Sequence, residues 1–359
     1  MKVALVYDRV NKFGGAERLL LSLHRLFPKA PIYTLVHEPR TSGWAKGIKI
    51  IPSFLNRIPF LRSRHEWLAP LAPLAFETLD LSEFEVIISV TSGDAKSVLT
   101  KPSQLHLCYC LTPTRYFWSG LGEYARDPKM KWLPNFLKKY FLELDLLTST
   151  RPDHYIAISK EVQKRVKKYY KRNSTIVYPC IEDKFYSKKP FSFDKRKYFL
   201  IVSRLVPYKR VDLAISAFNK LKYPLVVVGI GSELRRLKKM AGSNISFVGD
   251  VSDDRLIKYY REAKAVIFPQ EEDFGLVPLE AQALGTPVIA YGKGGALETI
   301  VAGQTGLFFR EQSVSSLLLA IEKFTRSNFQ ITALQKNASR FRYTNFSQAF
   351  LKEIKHLRR

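Results

Sequence analysis

The amino-acid sequence predicts an α/β protein with parallel sheets, and three observations support this fold class. Short apolar runs, such as Lys2–Tyr7 and Tyr198–Val202, alternate with segments of helical periodicity, such as Val211–Lys220. This alternation is typical of strand–helix–strand units. Residues 265–291 form the clearest unit, in which an apolar run, a loop, a helix and a second apolar run follow one another. The length of 359 residues suits two domains of ~150–200 residues each.

In the N-terminal half, several predicted strands end in polar loops. The first strand is followed by Gly14-Gly15 and then by a helix over residues 18–26. Backbone amides at this position can cradle a phosphate, although a Gly-Gly pair before a helix is also typical of a plain turn. Thr91-Ser92-Gly93 ends another strand at the edge of the sheet where α/β proteins bind ligands. The remaining predicted strands of this half are Glu85–Val90, Leu105–Leu111 and Asp153–Ser159.

Two segments of the N-terminal half allow two interpretations each. Residues 53–76 are rich in Leu, Phe and Trp and contain three prolines and scattered arginines. They fit either a lid or interfacial helix, or helices packed on the sheet. Residues 129–172 contain 12 Lys/Arg against four acids, with aromatic residues interleaved. They fit either a solvated basic helix face or a surface that binds an anionic membrane leaflet.

The C-terminal half continues the same alternation. Strands are predicted over Pro224–Gly229 and Ile245–Gly249, and a helix over Arg255–Lys264. Residues 303–308 are predicted as a late turn. Two more helices are predicted over residues 313–324 and 346–359, and we expect the second to pack back on the N-terminal domain.

The loop of the 265–291 unit contains two carboxylates in a specific setting. Glu272 lies in the loop, and Glu280 lies in the helix predicted over Val277–Leu284. Phe274, Gly275 and Leu276 come just before that helix, where unpaired N–H groups can hold an anion. A purely structural interpretation remains open, in which Glu272 is a solvated loop acid and Glu280 a first-turn acid favoured by the helix dipole.

The string from Glu272 to Glu280, with Phe274-Gly-Leu276 between them, resembles the signature of retaining nucleotide-sugar glycosyltransferases of family 4. The longer string EEDFGLVPLEAQALGTPVIAYGKGGALET is similar to a bacterial, mannosyltransferase-like subgroup. The resemblance implies the GT-B arrangement, with two facing Rossmann-like domains, parallel sheets with helices on both faces and an interdomain cleft. It places the N-terminal domain at residues 1–183, a linker at 184–197 and the nucleotide-sugar domain at 198–345.

The resemblance also implies roles for residues of the donor site. Arg204 and Lys209 match the family's Arg-x4-Lys motif, and cations there stabilise a departing diphosphate. Glu272 is implied to contact hydroxyls of the donor sugar, and Glu280 the donor ribose. The remaining donor contacts that the resemblance implies are the diphosphate-facing Gly14 and Gly15, the backbone near the nucleobase at Val251, and the sugar-binding Phe274, Gly275 and Leu276.

On the acceptor side the sequence departs from the family pattern. Members of the subgroup tend to read Cys-His-Thr-Pro where this chain reads Cys110-Leu111-Thr112-Pro113. His106 lies five residues earlier on the strand and cannot simply replace that histidine. The departure implies a more apolar acceptor pocket, with Leu111, Thr112 and Arg115 as candidate acceptor-side residues.

Composition indicates the setting in which the protein works. The net charge of +26 favours nucleic acid, anionic lipid or phosphorylated substrates. Residues 1–180 and 181–359 each have an excess of 13 positive charges, by counting 28 basic against 15 acidic and 30 against 17. Three cysteines without Cys-x-x-Cys spacing suit a reducing compartment. Without RNP, KH or zinc-finger patterns, no nucleic-acid partner is expected. We expect a cytoplasmic enzyme, peripheral on the inner face of the cytoplasmic membrane.

The sequence therefore predicts a retaining glycosyltransferase that moves a hexose, expected to be mannose from GDP-mannose, to a hydroxyl of a growing, lipid-linked glycan. No Asp-x-Asp motif is present, and neither a metal nor another cofactor is expected. Three alternatives stay open: a UDP-sugar hexosyltransferase of the same fold, a catalytically weakened sugar-nucleotide-binding protein, and a nucleic-acid binder.

Overall fold

A computed structural model describes residues 1–62, 70–114, 117–118, 135–186 and 196–358. The chain divides into two compact units. The first comprises Met1–Tyr178 together with Ser347–Arg359, and the second comprises Pro179–Phe346.

The first unit is built on a seven-stranded sheet with the strand order β3-β2-β1-β4-β5-β6-β7. Every adjacent pair is parallel. The central strands are buried along their whole length because sheets of this kind are covered on both faces. The strands are β1 (Val3–Tyr7), β2 (Ile32–Thr34), β3 (Ile50–Pro52), β4 (Val86–Thr91), β5 (Leu105–Cys110), β6 (His154–Ala157) and β7 (Ser174–Ile176).

Helices connect these strands. They are α1 (Gly15–Leu26), α2 (Ala72–Glu77), α3 (Asn135–Thr148) and α4 (Lys160–Arg165), the last continued by one π-helical turn over Val166–Tyr170. Of the segment 53–76, the described part contains α2 and short 3-10 turns over Phe54–Arg57 and Pro59–Leu61. Phe76 and Leu55 are buried in an apolar cluster with Ile87 of β4. This part of the segment therefore packs on the sheet, as one of the two interpretations predicted.

The second unit contains a six-stranded sheet with the order β10-β9-β8-β11-β12-β13, again with every pair parallel. Its strands are β8 (Tyr198–Val202), β9 (Leu225–Val228), β10 (Ile245–Gly249), β11 (Ala263–Phe268), β12 (Val288–Tyr291) and β13 (Gly306–Phe309). Its helices are α5 (Val211–Leu221), α6 (Leu234–Met240), α7 (Asp253–Glu262), α8 (Leu276–Ala283), α9 (Ala296–Thr299), α10 (Val314–Thr325) and α11 (Ile331–Ser339). A last helix, α12 (Tyr343–Leu357), ends in the segment grouped with the first unit.

Both strand orders are those of doubly wound α/β folds, so the predicted fold class is confirmed. In each sheet the order reverses beside the first strand of the unit, β1 or β8. Ligands of such folds bind beyond the carboxyl ends of the strands at this switch point. The loops after β1, β4, β8 and β11 therefore lie where a ligand of this fold binds.

Some elements differ from the prediction. Residues 306–309, predicted as part of a turn, form β13, which pairs with β12 from Val288↔Gly306 to Tyr291↔Phe309. The strands β2 and β3 were not predicted. Each has only three residues, too few to show a pattern in the sequence, and each is defined by its pairing with a neighbour.

The boundary between the units lies earlier than the sequence suggested. The second unit begins at Pro179, whereas the predicted linker begins at residue 184. Ile181 donates its N–H to the carbonyl of Phe341 at 3.1 Å, and Phe185 is fully buried beside the ring of Tyr260. Residues 179–186 therefore pack on the second unit. Residues 187–195 of the predicted linker lie outside the described residues.

Candidate functional site

The loops after β8 and β11 bring together two of the three predicted catalytic residues. Lys209 lies in a 3-10 turn over Pro207–Lys209, and its ammonium donates to the Glu272 carboxylate. The same Oε1 atom of Glu272 accepts a hydrogen bond from Gln270 Nε2 at 3.0 Å. The Lys209 and Glu272 side chains are 11% and 25% exposed. This ion pair is therefore largely shielded from water but still reachable by a ligand.

Arg204, the third predicted catalytic residue, lies earlier in the same loop after β8. Its guanidinium donates to the Tyr208 hydroxyl at 2.6 Å, and its side chain is exposed. The Lys209 ammonium lies 5.0 Å from the centre of the Tyr208 ring. Tyr208 thus contacts both cations and restrains their positions, a role that the sequence analysis missed.

The helix α8 begins directly after this loop. Gly275 precedes it with φ of +94°, a left-handed conformation that glycine adopts without the steric cost of a Cβ. Phe274 is buried and packs edge-on against Phe341 at 5.7 Å. Leu276 is the first residue of the helix. The N–H groups at the start of a helix can hold an anion, and the donor-binding role of Phe274, Gly275 and Leu276 stays a prediction.

Gly294 and Gly295, after β12, pack closely against the backbone of the loop that contains Glu272. The N–H of Gly295 donates to the carbonyl of Glu272 at 2.7 Å. A Cβ on Gly294 would lie 2.4 Å from that carbonyl oxygen, and one on Gly295 would lie 2.2 Å from Phe274 Cα. Only glycine fits at either position. The sequence analysis gave these two residues no role, although a Gly-Gly pair after a strand was a visible signal.

Glu280 and Val251 lie in separate elements of the same unit. Glu280 is 5% exposed, and its carboxylate accepts a hydrogen bond from the Tyr260 hydroxyl at 2.7 Å. A buried carboxylate needs such a donor because desolvation of an unpaired charge is costly. Val251 is half-buried in the loop between β10 and α7. The roles of these residues toward a ribose and a nucleobase stay predictions.

In the first unit, Gly14 precedes α1 and is half-buried, and Gly15 is its exposed first residue. Glu17, one turn later, is 1% exposed and accepts a hydrogen bond from Tyr7 at 2.6 Å. Burial, together with the neighbouring Glu17 charge, raises the pKa of Tyr7 well above its ordinary value. This contact fixes the start of α1 against β1 and so positions the Gly14-Gly15 backbone.

Asp8, at the end of β1, organises the loop after β4. Its carboxylate accepts hydrogen bonds from the Thr91 hydroxyl at 2.6 Å, from the Ser92 N–H at 2.8 Å and from the Ala95 N–H at 3.0 Å. Because β1 and β4 are adjacent, one acid can reach all three donors. The sequence analysis did not identify this residue.

Lys96 and Asp145 form a buried ion pair in the same region. Both side chains are 1% exposed, and Nζ lies 2.6 Å from Asp145 Oδ1. Lys96 also donates to the carbonyl of Gly93 at 2.6 Å. Asp145 accepts further hydrogen bonds from the Thr114 hydroxyl and the Trp118 indole, both at 2.7 Å. This cluster fastens helix α3 and the loop after β5 to the loop after β4.

The acceptor-side residues lie in the loop after β5. Leu111 is half-buried, and its N–H donates to the carbonyl of Thr91 at 2.8 Å. Thr112 is 4% exposed, and its buried hydroxyl has no hydrogen-bond partner among the described residues. Arg115 lies outside the described residues. His106 is fully buried beside the Ser89 hydroxyl and therefore cannot act in place of a histidine at position 111.

The described residues also bear on the predictions about cysteines, metal binding and membrane association. Cys108, Cys110 and Cys180 are buried and are not joined in a disulfide. Within the described ranges, no group of three or more His, Cys, Asp or Glu side chains could hold a metal ion. No helix there has both the length and the apolar character needed to cross a membrane. Metal independence and membrane association stay predictions.

Solved glycosyltransferases share this fold. The chain superposes on the Anabaena protein HepE in complex with UDP and glucose with a TM-score of 0.75 at 19% identity, covering 99% of each chain. It superposes on sucrose-phosphate synthase from Thermosynechococcus elongatus with a TM-score of 0.74 at 19% identity, again covering 99% of each. At this identity the comparison establishes only the fold class, two doubly wound α/β units like those of GT-B glycosyltransferases.

The family match lies within the second unit. Residues 182–341 match the family model described as Glycosyl transferases group 1. A GDP-mannose-dependent alpha-(1-6)-phosphatidylinositol monomannoside mannosyltransferase of Mycobacterium tuberculosis is 32% identical over 152 residues, 37% of this chain and 40% of that protein. A D-inositol 3-phosphate glycosyltransferase of Acidothermus cellulolyticus is 36% identical over 128 residues, 30% of this chain and 29% of that protein.

The chain spans at most three fifths of the length of these curated relatives, the largest share being 59% for an uncharacterized glycosyltransferase of Methanocaldococcus jannaschii. Together, the family match and the relatives support the prediction that the chain is a glycosyltransferase.

Proposed function

We propose that this protein is a retaining glycosyltransferase that transfers mannose from GDP-mannose to a hydroxyl of a lipid-linked glycan. The observation that carries the proposal is the Lys209–Glu272 ion pair at the carboxyl end of the second sheet. Arg204 lies in the same loop as Lys209, and helix α8 begins four residues after Glu272. Cations, a carboxylate and free backbone N–H groups are the groups that a sugar diphosphate requires.

In the proposed mechanism the cations act on the leaving group. As the bond between the sugar and the diphosphate breaks, negative charge grows on the departing oxygen, and Arg204 and Lys209 stabilise it. Glu272 accepts hydrogen bonds from sugar hydroxyls, and the first-turn N–H groups of α8 bind the donor. The acceptor hydroxyl attacks from the face of the leaving group, and its proton passes to the diphosphate oxygen.

GDP-mannose is the proposed donor because the relative with 32% identity carries that donor in its name. UDP-sugars form the alternative, since a structural neighbour was solved with UDP and glucose. The nucleobase contact is proposed for the backbone around Val251, in the loop between β10 and α7.

Membrane association is proposed for one face of α3. Phe136, Tyr140 and Leu147 are 70%, 56% and 60% exposed. At about 100° per residue these positions fall within about 40° of one another on the helix. Asp145, in the buried cluster, falls on the opposite side. Lys139 falls about 60° to one side of Phe136 on the helix, where it pairs with Glu143 at 3.8 Å. An apolar face with a cation at its border suits an anionic lipid surface.

A donor screen followed by a turnover measurement tests the function. The midpoint of thermal unfolding is measured with GDP-mannose, UDP-glucose and an ADP-sugar, and release of sugar from the radiolabelled donor is then followed. We expect GDP-mannose to raise the midpoint of thermal unfolding, and we expect turnover of that donor. A higher unfolding midpoint with UDP-glucose alone supports the alternative donor. Stabilisation without any turnover identifies a binding protein. No stabilisation by any donor, together with a shift of DNA or RNA in a gel, contradicts the proposal.

A further inference from the structure

Asp94 stands out in the loop after β4 because its carboxylate has no hydrogen-bond donor among the described residues. Asp94 is half-buried and precedes a 3-10 turn over Ala95–Ser97. The nearby hydrogen-bond donors bind the carboxylate of Asp8 instead. The N–H groups of Ser92 and Ala95 and the hydroxyl of Thr91 donate to Asp8. The Asp94 carbonyl accepts a hydrogen bond from the Ser97 N–H at 2.8 Å, so the backbone of Asp94 helps to hold the loop while its carboxylate takes no part among the described residues.

The charges around Asp94 come from three elements. Lys96 lies on the same loop, Asp8 and Arg9 follow β1, and Asp145 lies on α3. Although the Asp94 side chain keeps some contact with solvent, burial of its carboxyl raises the pKa to about 7. Lys96 and Arg9 act in the opposite direction, and Asp8 and Asp145 add to the increase. Lys96, the strongest of these charges, is itself paired with Asp145.

In the described start of the adjacent loop, after β5, no residue is titratable. Its first four residues are Leu111, Thr112, Pro113 and Thr114. Lys96 Nζ lies 2.6 Å from the carbonyl of Gly93 and 3.5 Å from the Thr114 hydroxyl. The loops after β4 and β5 are therefore joined directly beside Asp94. Both begin at carboxyl ends of parallel strands, the edge where doubly wound folds bind ligands.

We propose that the Asp94 carboxylate binds a hydroxyl group of the acceptor. The inference rests on the proposed function and adds an acceptor-binding residue to it. An ionised carboxylate only accepts hydrogen bonds, and a bond from a sugar or polyol hydroxyl to a charged group is stronger than one between neutral groups. Protonation removes that charge. The affinity for acceptor should therefore decrease as the pH falls through about 7.

Asp94→Asn tests the proposal with Asp254→Asn as the matched control. Asp254 is exposed and lies in the second unit. The probes are GDP-mannose as donor and methyl α-mannoside as acceptor. We expect Asp94→Asn to raise the KM for the mannoside about 10- to 100-fold, the loss of one hydrogen bond to a charged group. The KM for GDP-mannose should stay unchanged. Between pH 6 and 8 the mannoside KM should vary in the wild-type protein and stay constant in Asp94→Asn.

An unchanged mannoside KM in Asp94→Asn, or an equal pH dependence in both proteins, overturns the inference. A misfolded variant is recognised by its thermal unfolding midpoint, and Asp94→Glu, which keeps the charge, should recover part of the affinity. A carboxyl-carbon NMR titration of Asp94 in the wild-type protein separates this inference from the proposed function. If the protein consumes no donor, the proposed transfer reaction fails. An Asp94 resonance that titrates near pH 7 and shifts on addition of methyl α-mannoside still supports hydroxyl binding, and a resonance unaffected by the mannoside contradicts it.

Discussion

Lys209 and Glu272 form an ion pair although 63 positions separate them in the chain. The pair depends on the adjacency of β8 and β11, which brings the loops after both strands to one edge of the sheet. Gln270 and Tyr208 contact its two members from either side. The cation proposed to receive the diphosphate is thus already oriented by the carboxylate proposed to bind the sugar.

Variants of this pair should separate binding from turnover. Lys209→Ala should lower the rate of transfer by about 10²–10³, the loss typical of a preorganised charge stabiliser, and Arg204→Ala should do the same. Glu272→Gln should keep or improve affinity for GDP, because Lys209 no longer has a charged partner, while transfer is lost. Single-turnover rates and GDP titrations measure both effects. Lys238→Ala, an exposed lysine of the same unit, is the control. Rates close to wild type in both cation variants would refute the assignment.

Leu111 offers a test of the acceptor side. Leu111→His should leave donor affinity unchanged, because Glu280, Arg204 and Lys209 are untouched, and should alter acceptor choice or rate. Leu111→Ala should cost less than the ~2–5 kcal/mol expected for a fully buried leucine, since the side chain is only half-buried. Donor titration measures donor affinity, transfer assays measure acceptor choice and rate, and urea denaturation measures the free energy of unfolding. Loss of donor binding in Leu111→Ala at full stability would show that Leu111 contacts the donor.

Breaking the buried ion pair of the first unit should be strongly destabilising. Lys96→Met leaves the Asp145 carboxylate without its cation at 1% exposure, and such a change costs about 3–5 kcal/mol. Lys139→Met is the matched control. Lys139 pairs with Glu143 at 3.8 Å, with the side chains 78% and 62% exposed, and we expect a cost of about 0.5 kcal/mol or less. Equal free energies of unfolding in the two variants would show that the buried pair contributes nothing particular.

His106 should make the protein sensitive to acid. Burial, assisted by the positive charge of Arg151, lowers its pKa to about 3, so the folded state holds the imidazole neutral. Its contribution to stability is complete above the unfolded-state pKa of about 6.5. It is lost at about 1.4 kcal/mol per pH unit as the pH falls from there toward 3.

The measurement is urea denaturation of the wild-type protein and of His106→Gln at pH 7 and pH 5. The wild-type protein should lose about 2 kcal/mol more than the variant over this interval. His356→Gln, at an exposed histidine, should behave like the wild-type protein. Identical losses in wild type and His106→Gln would show that the imidazole is charged in the folded state.

Vesicle binding tests the proposed face of α3. Residues 129–172 have an excess of eight basic residues, and each cation near an anionic surface contributes about 1 kcal/mol. Sedimentation with anionic vesicles should exceed that with neutral ones and should weaken with salt. Replacing Phe136 and Tyr140 by serine should reduce it, whereas Tyr223→Ser, an exposed aromatic of the second unit, should not. Equal sedimentation with both vesicle types would assign the charge to another partner.

The fold class could be predicted because parallel strands buried on both faces read as continuous apolar runs. The strands Tyr198–Val202 and Ile245–Gly249 were predicted with the bounds that the structure has. By contrast, β2, β3 and β13 are short strands whose residues could equally lie in loops. Pairing with a formed neighbour makes them strands, and a single segment does not show that pairing.

The sequence alone determined the longer strands and helices and the motif residues of the loop after β11, because apolar periodicity and turn residues act over a few neighbouring positions. Only the tertiary structure decided which of those residues meet. Lys96 and Asp145 are 49 positions apart, and their contact depends on the packing of α3 against the loop after β4. The pKa of Asp94 likewise depends on Asp8 and Asp145, which reach it through strand adjacency and helix packing. The burial of a side chain and the electrostatic effect of other charges on it both depend on which residues are close in space. They are therefore fixed only once the sheet and its helices have assembled.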